Sequence, residues 1–102
     1  MDIKKTIDAL SALAQPTRLD AFRLLVSCLP EGLAAGEVAR LLDVPQNTMS
    51  AHLSVLGRAG LLTSERQSRS IVYSADLNGL REVVGFLLKV STAEQFQASV
   101  AE

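Results

Sequence analysis

Residues 41–75 read LLDVPQNTMSAHLSVLGRAGLLTSERQSRSIVYSA, and the hydrophobic period changes partway through them. Met49, Leu53 and Leu56 recur at helical spacing, which predicts a helix from about Gln46 to Ala59 with those side chains buried. Gly60 stands where a left-handed helix end is wanted. Beyond it, residues 61–66 and 70–74 are short alternating or β-branched stretches around the polar turn Gln67-Ser68-Arg69. That is the pattern of a β-hairpin, although the turn lacks the favoured Asn-Gly pair. Upstream, Leu42-Asp43-Val44-Pro45 is a tight turn. Residues 35–42 ahead of it suit a short helix with Val38, Leu41 and Leu42 inward.

Two short helices joined by a tight turn and followed directly by a hairpin make a winged helix-turn-helix. The flanks add three helices. Ile3, Ile7, Leu10 and Ala14 form one stripe of a first helix. A second starts at Pro16, a residue tolerated in a first helical turn, and runs to about Ser27. Its expected buried stripe is Leu19, Phe22, Leu25 or Val26, and Leu29. Asp76 can cap a last helix in which Leu77, Leu80, Val84, Leu87 and Leu88 recur, with at most a further turn or two beyond Lys89. The expected fold is mainly α with a hairpin wing, in the order α-α-α-α-β-β-α, as one domain over residues 1–102.

The helix after Pro45 opens with short polar or very small side chains. Gln46, Asn47, Thr48, Ser50, Ala51, His52, Ser54 and Arg58 lie off its apolar stripe, with Asn47, Ala51, Ser54 and Arg58 opposite it. Amides can read an adenine edge, Thr48 and Ala51 can meet a thymine methyl, and free backbone N–H groups can meet a phosphate. Arg66 and Arg69 flank the hairpin tip, which suits phosphate or minor-groove contact. The expected partner is double-stranded DNA.

Charge and composition set the limits. The 102 residues carry a net charge of −1, so the chain is no polycationic sleeve. Residues 45–74, however, hold three arginines against one glutamate, so an acidic body carries one positive region. Aromatics amount to 4%, too few for a single-strand stacking platform. No apolar run exceeds three residues, which excludes a membrane span or signal-peptide core from the sequence read here. A single cysteine precludes an internal disulfide, and a cytoplasmic location is expected. A domain this small buries only about 60–70% of its chain's surface, so an oligomer would help. The stripes at Ile3, Ile7 and Leu10 and at Val84, Leu87 and Leu88 are the expected homodimer seam.

The segments ALAQPTRLDAFRLL (12–25) and GEVARLLDVPQNTMSAHLSVLGRAGLLTSERQSRSIVYSADLNGLREVVGFLL (36–88) resemble the ArsR-type, arsenic-repressor-like winged-helix regulators. The resemblance runs from about Ala9 to Leu88. Its most specific pieces are Pro16-Thr17-Arg18-Leu19, Ser50-Ala51-His52-Leu53 with Leu56 and Ala59-Gly60-Leu61, and Arg69-Ser70-Ile71-Val72-Tyr73. It implies a homodimer joined through the first and last helices that binds an inverted-repeat operator as a repressor. Two departures matter. Pro45 stands where such regulators often carry a capping serine. Metal-sensing members use paired cysteines near the scaffold helix or Asp/His/Glu sets on the last helix, whereas residues 33–42 and 77–102 contain no Cys or His here. No metal or other cofactor is expected, and nothing in the sequence names a small-molecule effector.

His52 balances a partly buried, hydrogen-bonded ring against a phosphate or base-edge contact. Cys28 reads as a small apolar side chain rather than a sensor, since a redox switch needs a resolving thiol. Arg18 reads as structural, through an ion pair, ahead of a DNA contact. An enzyme is not expected, with no nucleophile beside a base, no Gly-rich phosphate loop and no metal set. The rival reading is a winged-helix adaptor that binds protein and not specific DNA. Such an adaptor would expose large apolar or acidic side chains where this helix has Asn47, Ser50, Ala51 and Ser54.

Overall fold

Local chemistry sets most helix ends. In the computed structural model, which describes residues 2–92, α1 spans Ile3–Leu13 and is capped by Asp2, whose carboxylate accepts from the Lys5 N–H at 2.7 Å. The second helix, α2 (Pro16–Ser27), has proline at its first position, and Gln15 Oε1 accepts the Arg18 N–H at 2.8 Å. A two-residue strand β1 (Leu33–Ala34) leads into α3 (Ala35–Leu42), which ends at Asp43 in the left-handed conformation, φ 55°. Next come α4 (Gln46–Arg58), β2 (Leu62–Gln67), β3 (Ser70–Ala75) and α5 (Leu77–Val90). Asp76 caps α5, accepting from the Asn78 and Gly79 N–H groups, as expected. Gly60 takes φ 82° just past α4, also as expected. The expectation of helix beyond Lys89 holds through Val90; further helix over residues 93–102 lies outside the described residues.

One strand escapes the expected order. β1 pairs antiparallel with β3, placing Leu33 opposite Tyr73 and Ala34 opposite Val72, so the hairpin is part of a three-stranded sheet ordered β1-β3-β2. The order is α-α-β-α-α-β-β-α, correcting the expected α-α-α-α-β-β-α. Two residues carry no readable alternation, so β1 left no periodic signal. Gly32 makes the strand's approach feasible: its φ is 76°, and a Cβ there would collide with the Tyr73 carbonyl and the Ser74 hydroxyl.

The core forms where α2, α3, α4 and the base of the sheet meet. Leu25, Val38, Met49, Leu53, Leu56 and Leu61 are fully buried there, so the expected α4 stripe holds entirely. Two expectations for inward faces do not. Leu19 and Leu41 are largely exposed; α2 instead buries Ala21, Phe22 and Leu25, and α3 buries Val38 and Ala39. On α1 the buried residues are Thr6, Ala9 and Ala12, whereas Ile3 and Ile7 stand 64% and 58% exposed. α1 and α5 pack against each other, and α5 likewise turns Val84, Leu87, Leu88 and Val90 outward. Small residues on the inner face let the helices approach closely, and the large apolar ones remain outside. No helix among the described residues is long and apolar enough to cross a membrane.

Candidate nucleic-acid interface

The N-terminus of α4 is open. Pro45 is its N-cap residue and supplies no side-chain oxygen, so it caps none of the first N–H groups of the helix. Gln46, Asn47 and Thr48 are all exposed around that end. Asn47 Oδ1 accepts the Thr48 N–H at 3.0 Å, which leaves the Asn47 amide nitrogen as the outward donor. Gln46 leans toward α3, where a Cβ on Gly36 would meet its carboxamide at 3.4 Å. Ala51 and Ser54 are exposed further along, and Ser50 is half-buried.

The two flanks of α4 have different neighbours. One meets the sheet: Leu53, Ser54, Gly57 and Arg58 share a groove with Leu62, Ser64 and Tyr73. The other carries His52, whose Nδ1 lies 3.3 Å from an Arg18 guanidinium nitrogen of α2. Arg18 also donates through Nε to the Ala12 carbonyl at 2.8 Å. The expected structural role for Arg18 therefore holds, but through hydrogen bonds to a carbonyl and a ring and not through an ion pair.

Strand alternation sorts the wing. Paired residues share a face, and Leu62↔Ala75, Ser64↔Tyr73 and Arg66↔Ile71 are pairs. Arg66 and Ile71 therefore lie on the face that meets α4 at its base, and Ile71 is 44% exposed beside the arginine. Glu65, Gln67 and Val72 lie on the other face, in a groove with Pro30 and Glu31. The only acidic residue of the wing is thus turned away from α4. From Thr63 to Gln67 every residue is exposed, so β2 projects beyond the core. Its tip is a two-residue loop, Ser68-Arg69, with Ser68 at φ 57°, the positive φ that mirror-image hairpin turns require.

Arg58 does not join this group at the helix start. It stands more than three turns along α4, about 18 Å from Gln46 by helical rise, in a groove with Lys5, Asp8, Asn78 and Glu82. Among the described residues the ion pairs are Lys4–Asp8 at 2.9 Å and Arg40–Glu37 at 2.7 Å. Donating a hydrogen bond to the Asp8 carboxylate holds the Lys4 ammonium above its ordinary pKa, and donating to Glu37 does the same for Arg40. Neither pair engages Arg58, Arg66 or Arg69.

The donors for a thiolate or imidazole metal site do not converge. Cys28 is half-buried at the end of α2, its Sγ 3.8 Å from Ser27 Oγ, and His52 Nδ1 already faces a guanidinium. Among the described residues, no group of three or more His, Cys, Asp or Glu is placed to hold a metal ion.

A family model for a helix-turn-helix domain matches residues 13–65. Nodulation protein NolR of Rhizobium meliloti is 33% identical over 78 residues, covering 76% of this chain and 62% of that protein, so the chain spans a little under two thirds of NolR's length. The regulator CmtR of Mycobacterium tuberculosis H37Rv is 34% identical over 92 residues, covering 89% of this chain and 75% of that protein. A homodimeric winged helix-turn-helix DNA-binding domain of Mycobacterium bovis, from a candidate ArsR-family transcriptional regulator, superposes with a TM-score of 0.70 at 25% identity. That match covers 90% of this chain and 82% of the fragment. The chain belongs to the ArsR family of winged helix-turn-helix transcriptional regulators. In ArsR terms, α3 and α4 are the helix-turn-helix and β2–β3 the wing. The sequence missed the Arg18–His52 contact, because residues 34 positions apart carry no local signal of meeting. It also missed Ile71 beside Arg66, although alternation across the two-residue turn would have paired them.

Proposed function

We propose that residues 1–102 act as one cytoplasmic, homodimeric repressor that reads an inverted-repeat operator. The observation that carries this reading is the pairing of two exposed features: the polar start of α4, with no side-chain cap from Pro45, and a projecting wing whose Arg66 lies on the face that meets α4 at its base. An exposed helix start of amides, hydroxyls and free N–H groups suits major-groove entry. Arg66 and Arg69 then meet the backbone or adjacent minor groove. Asn47, Thr48, Ser50, Ala51 and Ser54 are the base-facing set. Gln46 and His52 serve its edges, and Arg58 reaches only the flanking backbone.

The outward apolar faces of α1 and α5 support the dimer. Ile3, Ile7, Leu10, Val84, Leu87 and Leu88 form adjoining exposed stripes on two helices that pack together. A two-fold axis through that surface relates two copies of α4, so their half-sites lie about 34 Å, or one duplex turn, apart. Footprinting on the DNA flanking the chain's own gene tests the reading. It should show two protected half-sites with dyad symmetry, and transcription from that DNA should fall as protein is added. Uniform binding to unrelated duplexes would remove the operator, and no duplex binding at all would favour the adaptor.

A further inference from the structure

The Arg18–His52 contact fixes more than packing. A guanidinium carries only donors, so His52 Nδ1 at 3.3 Å must be the acceptor. An imidazole whose Nδ1 accepts carries its proton on Nε2. That Nε2 has no hydrogen-bond partner among the described residues, and no buried polar side-chain atom there is left unsatisfied, so Nε2 is open to solvent. Arg18 cannot swing freely, because its Nε is held at 2.8 Å by the Ala12 carbonyl and its own N–H by Gln15. The ring is therefore locked from behind by the α1–α2 corner, with one N–H pointing out. It sits on the flank of α4 nearest α2, one turn after Thr48, at the rim of the reading surface.

We propose that Arg18 is a positioning residue which holds His52 as a neutral Nε2–H donor to a DNA phosphodiester oxygen. The inference rests on the DNA-reading function above. A neutral donor adds a hydrogen bond but releases no counterion, so this contact should strengthen binding without steepening its salt dependence. Arg18 itself stays behind the ring, away from the phosphate.

Long-range proton–nitrogen correlation spectra of the free protein test the positioning without DNA. Wild type should show an unprotonated Nδ1 and a protonated Nε2, and Arg18→Met should average the two nitrogens. A protonated Nδ1 in wild type, or an unchanged ring in Arg18→Met with its fold retained by circular dichroism, overturns the proposal. Fluorescence anisotropy on operator duplex tests the donor role. His52→Gln keeps an N–H near the Nε2 position and should bind within about threefold of wild type, while His52→Asn should weaken binding about tenfold, one hydrogen bond to a charged group. Both should keep the wild-type salt slope; a smaller slope in His52→Asn overturns the neutral-donor assignment. Arg18→Met should weaken binding in wild type but not in His52→Asn, and equal losses in both backgrounds would show that Arg18 acts independently of the ring. A fixed tautomer in a protein that binds no duplex would sink the DNA reading while leaving the Arg18–His52 contact intact.

Discussion

At the scale of single residues, the wing and α4 would contribute different kinds of energy to the proposed DNA complex. Arg69 sits in an exposed two-residue turn with no carboxylate partner among the described residues, so its charge is available to any phosphate within reach. Arg69→Ala should weaken binding to all duplexes alike and reduce the salt slope by about 1 per subunit for each phosphate that the arginine neutralises. An unchanged slope in an anisotropy salt titration would remove Arg69 from the DNA-binding set. Thr48→Ala should instead relax preference at particular base pairs, by roughly 1–3 kcal/mol for each base edge that Thr48 reads well. Selection from a randomised half-site would reveal that relaxation; unchanged preference would argue against Thr48 as a reader. Asn47 was legible as an exposed amide, but not the turn of its carbonyl onto the Thr48 N–H, which a string of residues cannot encode. In the proposed complex, that turn would bias Asn47 toward acceptor groups on the DNA until the carbonyl is released.

At the scale of elements, two glycines give opposite expectations. Gly32 combines φ 76° with a collision between any Cβ and β3, so Gly32→Ala should detach β1 and cost about 2 kcal/mol or more. Gly57 lies inside α4, and a methyl group placed on it would meet nothing within 4 Å, so Gly57→Ala should gain about 0.5–1 kcal/mol. Urea unfolding of the two variants checks both signs. Strongly periodic or punctuated elements were legible: α4 through Met49, Leu53 and Leu56, and α5 through the Asp76 cap. Which face of α1 points inward was not. Its apolar stripe satisfies the helical period whether it meets its own core or another subunit, and only Thr6, Ala9 and Ala12 hinted at the close-packed side. β1 failed for a different reason, because its pairing partner lies some forty residues downstream and the strand is too short to alternate.

At the scale of the whole molecule, the outward stripes of α1 and α5 and the single-cysteine inventory lead to separate tests. Leu87→Glu places a charge in the proposed seam and should shift sedimentation toward the monomer while weakening operator binding. A protein already monomeric at micromolar concentration that still binds its site tightly would overturn the symmetric dimer. Each subunit offers one thiol and one imidazole, on different helices, and two subunits together supply fewer thiolates than the three a trivalent-arsenic site of the usual kind needs. Arsenite, zinc and cadmium at micromolar levels should therefore leave the operator complex intact. Stoichiometric release by arsenite that disappears in Cys28→Ser would reverse this conclusion. The same α1 that turns Ile3 and Ile7 outward also carries the Ala12 carbonyl that holds Arg18. In the proposed dimer, association would cover those side chains only in the folded form, so mass action would tie melting temperature to protein concentration. A culture that makes little of this chain would hold it not merely diluted but less stable, and a modest change in synthesis would be amplified into a larger change in occupied DNA.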